Sequence, residues 1–181
     1  MKVLIEAEEI REAVEVLGQR LATDYAGKTL TVVGVLTGSV MLLADLVRAM
    51  NLPLRISLVR ASSYRGSATR GGELEVDEQL LDDVEGRDVL LVDDIFDSGR
   101  TLERLLETIG EHQPLSLRSA VLLWKTDRME VDIEPDYHCF RIPDVFVVGY
   151  GLDYNGEYRY LPHIAGLDDS DLNLDGQSGS G

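Results

Sequence analysis

Two adjacent aspartates, Asp93 and Asp94, follow a run of apolar residues in segment 89–101, which reads VLLVDDIFDSGRT. The apolar run predicts a buried strand, so the two carboxylates stand together where that strand ends. Neighbouring carboxylates repel each other unless they meet a cation or hydroxyl donors. The vicinal hydroxyls of a ribose and a magnesium ion supply both. We therefore predict that Asp93 and Asp94 hold a ribose and bind Mg²⁺.

The same segment places hydroxyl side chains and a glycine at the predicted start of a helix. The first amides of a helix have no intrahelical acceptor and lie at the positive end of its dipole, so they bind anions. Glycine permits close approach of the backbone, and hydroxyl groups add donors. The predicted cradle for a phosphate monoester consists of Ser98, Gly99, Arg100 and Thr101. The alternative is that Asp97 and Ser98 only cap the helix, but the combination of residue types favours a binding site.

The elements that position these residues follow from the hydrophobic pattern. Apolar residues at helical spacing predict helices over residues 6–23, 40–50 and 100–112. Strands of continuous apolarity that alternate with helices indicate an α/β fold with a mostly parallel central sheet covered on both faces. Ligands bind such sheets beyond the carboxyl ends of the strands. The predicted strands are 30–36, 54–59, 89–92, 119–124, 137–142 and 145–148, and residues 93–99 are predicted to form a polar loop.

Composition limits the class of partner. The chain has 17 Lys and Arg against 33 Asp and Glu, a net charge of −16, which argues against nucleic acid or an anionic membrane as a partner. Neither a membrane-length apolar run nor a signal-peptide pattern is present in the sequence, so we expect a cytoplasmic protein. The single cysteine, Cys139, is expected to pack as a small buried hydrophobe.

Two stretches differ in composition from the rest of the chain. Residues 60–72 contain no acid, and residues 61–72 predict a long loop. A solvated surface is one explanation of Arg60, Arg65 and Arg70, and the alternative is that Arg65 and Arg70 help draw in an anionic substrate. Residues 168–181 contain four aspartates and no basic residue, and they predict a disordered tail. Residues 1–167 are then expected to form a single domain.

Segment 89–101 closely resembles the phosphoribosyl-pyrophosphate (PRPP) binding motif of the phosphoribosyltransferases. Further motifs between about residues 32 and 163 narrow the resemblance to the hypoxanthine-guanine phosphoribosyltransferase family. LTGS at 36–39 is similar to the family's pyrophosphate loop, SSY at 62–64 to the start of its mobile loop, and LLWK at 122–125 to its purine-recognition strand. IPDVFVVGYGLDY at 142–154 resembles the segment that stacks on the base and binds a second metal.

The resemblance implies a type I phosphoribosyltransferase fold with a small hood, formed by the N- and C-terminal segments, and a long mobile loop. It implies purine salvage, in which IMP or GMP forms from hypoxanthine or guanine and PRPP with release of pyrophosphate. Asp97 would be the catalytic group that contacts the base. The other implied roles are pyrophosphate binding by Thr37, Gly38, Ser39, Ser63, Tyr64 and Arg159; purine binding by Lys125, Phe146, Val147 and Asp153; and magnesium binding by Asp93, Asp94 and Asp153.

The chain departs from the usual family pattern at a few positions. Thr37 and Val145 stand where lysines are frequent, and the acid pair is Asp-Asp where Glu-Asp is common. The family often has a cis non-proline peptide in the pyrophosphate loop, for which the Thr37–Gly38 bond is the candidate. Two alternatives stay open: a transferase for another base, such as xanthine or uracil, and a regulatory protein that senses PRPP and binds nucleic acid. The resemblance also implies a homodimer or homotetramer.

Overall fold

The computed structural model describes residues 1–63, 74–168 and 171. In these residues the strands and helices alternate along most of the chain. In chain order they are β1 (Lys2–Ile5), α1 (Ala7–Asp24), β2 (Leu30–Leu36), α2 (Val40–Met50), β3 (Leu54–Ser63), β4 (Leu74–Asp77), β5 (Asp88–Phe96), α3 (Arg100–Glu111), β6 (Ser116–Lys125), β7 (Tyr137–Ile142), β8 (Phe146–Val148) and β9 (Ile164–Leu167), with a short 3₁₀ turn, Thr126–Arg128, after β6.

The larger sheet has six strands in the order β4-β3-β2-β5-β6-β7. All neighbouring pairs from β3 to β7 are parallel, and the edge pair of β3 and β4 is antiparallel. The carboxyl ends of the parallel strands therefore meet at one edge of the sheet. This arrangement confirms the predicted α/β fold class.

The central strand β5 shows why a continuously apolar strand suits this sheet. Leu90 and Val92 pack into the core on the side of α1 and α2, and Val89 and Leu91 pack on the side of α3. Successive side chains of a strand point to opposite faces of the sheet, and here each face is covered by helices. Apolar residues are therefore favoured at successive positions of β5. Helices on both faces thus hold the end of β5 in a fixed place.

The hood implied by the family resemblance is a separate antiparallel sheet. It has the strand order β1-β9-β8, so it joins the beginning of the chain to its C-terminal part. Val147 of β8 and Ile164 of β9 belong to the same core cluster as α1 and α2. The division into a domain over residues 1–167 and a disordered tail over 168–181 stays a prediction, because most of the tail lies outside the described residues.

Several strands extend beyond their predicted ends because a neighbouring strand continues beside them. The prediction of a loop over residues 93–99 was wrong for residues 93–96, which belong to β5. Ile95 pairs with Leu123, and Phe96 pairs with Trp124 and is 1% exposed. The loop predicted after residue 59 likewise begins with strand, because β3 pairs with β4. No helix among the described residues is long and apolar enough to cross a membrane.

Candidate active site

The acid pair lies inside β5, between β2 and β6. Asp93 is buried, with 6% of its surface exposed, and Asp94 is half-buried. The backbone amide of Asp94 donates a hydrogen bond of 2.9 Å to Oδ1 of Asp93. Burial raises the pKa of both carboxyl groups, and the charge of Asp94 raises the pKa of Asp93 further. Two desolvated carboxylates this close are stabilised by a cation or by hydroxyl donors.

The loop after β2 reaches this acid pair through its backbone. A Cβ atom on Gly38 would lie 1.5 Å from Oδ2 of Asp94, and a Cβ atom on Gly151 would lie 2.0 Å from the carbonyl oxygen of Gly38. Glycine is therefore required at both positions by close approach. A cis peptide bond in this loop joins Leu36 and Thr37, one residue before the predicted candidate bond.

Helix α3 begins without a side-chain cap. Its N-cap residue is Gly99, at a φ of +87°, and no described side chain bonds to the cap position. The amide of Glu103 donates to the carbonyl oxygen of Gly99 at 2.9 Å and begins the intrahelical bonding. The amides before Glu103 are therefore available to an anion. The alternative in which Asp97 and Ser98 only cap the helix does not hold here.

A cleft of about 240 Å³ lies in front of this helix end, and we call it the phosphate cleft. Arg100 is exposed, and its guanidinium pairs with Glu130 at 2.5 Å, so this residue can offer the cleft its amide but not its charge. The polar lining is what a sugar phosphate requires. The residues of the cleft that carry donors, acceptors or close backbone approach are Gly38, Asp93, Asp94, Asp97, Ser98, Gly99 and Thr101.

A second cleft, of about 410 Å³, contains an exposed aromatic ring and a buried amino group, and we call it the base cleft. Phe146 is 43% exposed there, although its apolar neighbours in the sequence are typical of a core position. Its ring lies edge-on to Tyr154, with 5.5 Å between centroids. Lys125 is only 4% exposed. The cleft is lined by Ile95, Asp97, Lys125, Arg128, Asp144, Phe146, Val147, Leu152 and Asp153.

Asp97 lines both clefts. Its Oδ2 atom lies 3.2 Å from Nζ of Lys125. Its Oδ1 atom is buried and has no hydrogen-bond partner among the described residues. One oxygen of this carboxylate is therefore held by the protein, and the other is left for a ligand, because a buried acceptor without a donor is costly.

Asp153, which lines the base cleft, forms an ion pair with Arg159. Nη2 of Arg159 lies 2.6 Å from Oδ1 of Asp153, and the amide of Gly156 donates to Oδ2 of Asp153 at 2.8 Å. Nη1 of Arg159 donates to the carbonyl oxygen of Gly151 at 2.5 Å. Arg159 thereby connects Asp153 of the base cleft to Gly151, which lies against the carbonyl oxygen of Gly38. Burial raises the pKa of Asp94, and the charge of Arg159 opposes that rise.

The remaining predicted pyrophosphate residues lie at the carboxyl ends of β2 and β3. Thr37 is exposed, whereas Ser39 is fully buried and its hydroxyl donates to the carbonyl oxygen of Val35 at 2.6 Å. The hydrogen bond of Ser39 thus fixes the loop to the end of β2. Ser63 is the last residue of β3. The side chain of Ser63 and the predicted lid residues Tyr64, Arg65 and Arg70 lie outside the described residues.

Arg128 and Asp144 line the base cleft, although no role was predicted for them. Nη1 of Arg128 lies 3.5 Å from Oδ1 of Asp144. Asp144 stands inside the motif at 142–154, and this position is a signal that sequence reasoning passed over. Arg128 has no such signal, because a lone basic residue after a strand is usually solvated.

Comparisons with known proteins identify the family of this chain. A family model described as phosphoribosyl transferase domain matches residues 4–155. The hypoxanthine-guanine phosphoribosyltransferase of Streptococcus pneumoniae is 43% identical over 166 residues, which cover 92% of each chain. The structure of the Staphylococcus aureus hypoxanthine phosphoribosyltransferase matches with a TM-score of 0.87 and 40% identity over 93% of this chain and 92% of that one.

A third match is the Trypanosoma cruzi hypoxanthine phosphoribosyltransferase in a ternary substrates complex, with a TM-score of 0.87 and 36% identity over 94% of this chain and 97% of that one. The fold is that of a phosphoribosyltransferase, an enzyme of purine salvage. The chain belongs to the hypoxanthine-guanine phosphoribosyltransferase family.

Proposed function

We propose that this enzyme transfers the 5-phosphoribosyl group of PRPP to hypoxanthine, guanine or both, with formation of IMP or GMP and release of pyrophosphate. The observation that carries the proposal is the position of Asp97 between the phosphate cleft and the base cleft. A sugar phosphate in one cleft and a purine in the other would meet at this carboxylate. The ternary substrates complex of the similar T. cruzi enzyme supports the binding of both substrates together.

The sugar phosphate is assigned to the phosphate cleft. The 5-phosphate would accept hydrogen bonds from the first turn of α3, with Ser98, Gly99 and Thr101 around it and the amide of Arg100 among the donors. The ribose hydroxyls would contact Asp93 and Asp94, directly or through a metal-bound water.

Members of the family use Mg²⁺ with PRPP. The acid pair fits this ion, because Asp93 and Asp94 present neighbouring carboxylate oxygens whose pKa is raised by burial, and hard oxygen ligands of this kind are the ones that Mg²⁺ prefers. Across residues 1–63 and 74–168, no three His, Cys, Asp or Glu side chains form a ready metal cage. None is needed, because Mg²⁺ keeps several waters and is bound by one or two protein carboxylates together with substrate phosphates.

Pyrophosphate is assigned to the loop of Thr37, Gly38 and Ser39 and to Arg159. Arg159 now binds Asp153, so it would exchange that carboxylate for pyrophosphate oxygens. Asp153 would then be free to bind a second Mg²⁺ ion. Ser63 and Tyr64 are proposed to complete the pyrophosphate site from the loop that begins after β3.

The purine is assigned to the base cleft. The exposed ring of Phe146 offers a face for stacking, and the buried amino group of Lys125 would donate to a 6-oxo group. Adenine has an amino donor at that position, so Lys125 favours hypoxanthine and guanine. The backbone of Val147 and the neighbourhood of Asp153 would contact the remaining edge of the base.

The chemistry follows from where the two substrates meet. A ring nitrogen of the base forms a bond to the anomeric carbon of the ribose, and the bond from that carbon to pyrophosphate oxygen breaks with its electron pair. The base loses a ring N–H proton, which Asp97 accepts. The carboxylate of Asp97 also stabilises the positive charge that develops on the sugar. Asp93, Asp94 and Asp153 would hold Mg²⁺, which would supply positive charge to offset that of the leaving pyrophosphate.

The proposal is tested by incubating the protein with PRPP, MgCl₂ and one free base at a time, and by separating the nucleotides by liquid chromatography. The bases are hypoxanthine, guanine, xanthine, adenine and uracil, with reactions lacking Mg²⁺ as controls. We expect IMP or GMP and neither AMP nor UMP. The absence of a nucleotide from every purine would refute the enzyme proposal, and product from xanthine or uracil alone would refute the assigned base.

We further propose that the enzyme works in the cytoplasm as a homodimer or homotetramer. Family membership supports this state, and a study of the T. cruzi enzyme concerns the role of its C-terminal region in oligomeric state and activity. Light scattering after size-exclusion chromatography should give about two or four times the chain mass of 20.1 kDa. A mass equal to one chain would contradict this assembly.

A further inference from the structure

Four charged side chains form an alternating cluster in the base cleft, which we call the ion-pair square. Its two cations are Lys125 and Arg128, and its two anions are Asp97 and Asp144. Nζ of Lys125 lies 3.2 Å from Oδ2 of Asp97 and 3.5 Å from Oδ1 of Asp144. Nη1 of Arg128 lies 3.8 Å from Oδ2 of Asp97 and 3.5 Å from Oδ1 of Asp144. Each carboxylate therefore touches both cations.

The two cations differ in burial and in what they can do for a ligand. The side chain of Lys125 is 5% exposed and that of Arg128 is 54% exposed. In the proposed function Lys125 also donates to the 6-oxo group of the base, so its ammonium group is then shared between the base and Asp97. Arg128 is then the remaining cation within 4.0 Å of Asp97 in the described part of the chain. Without it, Asp97 would have no second cation within 4.0 Å among the described residues while Lys125 is shared with the base.

The two oxygens of Asp97 are used differently. Both cations approach Oδ2, and Oδ1 is buried without a partner among the described residues. If Oδ2 stays with Arg128, then Oδ1 remains the oxygen that faces the N–H group of the base. A carboxylate held by one oxygen keeps its orientation, and positioning of a reacting group is a large part of catalysis.

We propose that Arg128, held by Asp144, is a positioning residue that keeps Oδ2 of Asp97 in place while Lys125 donates a hydrogen bond to the base. This inference rests on the proposed function. Asp144 fixes the guanidinium, Arg128 fixes the carboxylate of Asp97, and neither Arg128 nor Asp144 takes part in the bond changes. The effect of Arg128 should therefore appear when the base binds and reacts, and not when PRPP binds.

The test compares Arg128→Gln, Arg128→Lys and Asp144→Asn with the wild-type enzyme. We expect Arg128→Gln to lower kcat/KM for hypoxanthine by about 10- to 100-fold, because a reacting group displaced by about 1 Å can cost on the order of 100-fold in rate. The dissociation constant for PRPP with Mg²⁺, measured by calorimetry without base, should stay within about twofold. Arg128→Lys should recover most of the lost rate, because it restores the charge. Asp144→Asn should match Arg128→Gln, and the double variant should lose little more than either single one.

Arg104→Gln is the matched control, because Arg104 is a half-exposed arginine that pairs with Glu107 on α3 and lines neither cleft. It should keep wild-type kinetics, and thermal melting of every variant checks the fold. The inference is overturned if Arg128→Gln keeps kcat/KM within twofold of wild type, or if it weakens PRPP binding as much as turnover. A wild-type enzyme that makes no nucleotide would instead refute the proposed function.

Discussion

The phosphate cleft and the base cleft share Asp97 but are built in different ways. The phosphate cleft depends on backbone: a helix end without a side-chain cap, and a loop in which Gly38 lies against the acid pair. The base cleft consists of side chains, with an exposed ring and an ion-pair square. Backbone contacts leave no room for an added atom, whereas side-chain contacts can be weakened one at a time. Substitutions in the phosphate cleft should therefore abolish activity, whereas those in the base cleft should reduce it by degrees.

Gly38→Ala should have the largest effect. The added Cβ would lie 1.5 Å from Oδ2 of Asp94, so the loop or the carboxylate must move. A displacement of about 1 Å at a reacting site costs on the order of 100-fold or more in rate. We expect kcat/KM for PRPP to fall by at least about 100-fold in a steady-state assay.

Gly110→Ala is the control for this substitution. Gly110 lies in α3, and a Cβ there would meet nothing within 4 Å. Kinetics should be unchanged, and the free energy of unfolding should rise by roughly 0.5–1 kcal/mol, because alanine favours a helix. Equal kinetics for Gly38→Ala and Gly110→Ala would show that the loop does not act through close approach to Asp94.

Phe146→Ala tests whether the base cleft responds in a graded way. Loss of base stacking should raise KM for hypoxanthine by about 5- to 100-fold, since aromatic stacking on a base contributes roughly 1–3 kcal/mol. Calorimetric binding of PRPP should be unchanged. Leu115→Ala removes an exposed apolar side chain far from the cleft lining and should alter neither value. Weaker PRPP binding by Phe146→Ala would contradict the separation of the two clefts.

Thr37→Lys adds a charge at the exposed edge of the loop before Gly38. An added cation should tighten PRPP binding by about two- to fivefold at low salt, the range of an exposed ion pair, and this gain should shrink as salt screens it. Binding measured at two salt concentrations checks the result. A gain that does not depend on salt would mean that the lysine acts through packing.

Cys139 lines neither cleft, so the reactivity of its thiol should depend on its own surroundings and not on the substrate site. Cys139 is half-buried, and this burial raises the pKa of its thiol to about 12, so the thiol form predominates at pH 8. Iodoacetamide should therefore label the native protein far more slowly than the unfolded protein, and labelling should accelerate as pH approaches the raised pKa. Rapid labelling of the folded enzyme at pH 8, followed by mass spectrometry, would contradict the burial of this thiol.

The two clefts also differ in how much of them the sequence predicts. Most residues of the phosphate cleft come from one segment, 89–101. The order of residue types in that segment, from apolar run to acids, hydroxyl and glycine, is enough to predict a binding site for a sugar phosphate. The strand β5 nonetheless extends past Asp93 to Phe96, because its pairing with Trp124 and Leu123 is set by a distant segment. Short strands such as β4 and β9 were missed for the same reason.

The base cleft depends on residues whose local context misleads. Phe146 stands between valines, which is typical of a core position, yet it is exposed. Lys125 is charged, yet it is buried because two acids surround its amino group. Arg128 and Asp144 come from different segments and meet only in the fold. A resemblance to a family identified Phe146 and Lys125, and the coordinates were needed for Arg128 and Asp144.

We propose that Asp97 accepts the proton of the base during the reaction, whereas other groups hold the sugar phosphate. Asp97→Asn keeps the size of the side chain and removes the proton acceptor, so calorimetry with PRPP and Mg²⁺ together with kcat for hypoxanthine tests the claim most directly. We predict PRPP binding within about twofold of wild type and a kcat lower by roughly 100-fold or more. Equal losses of binding and turnover, or an unchanged kcat, would contradict the account.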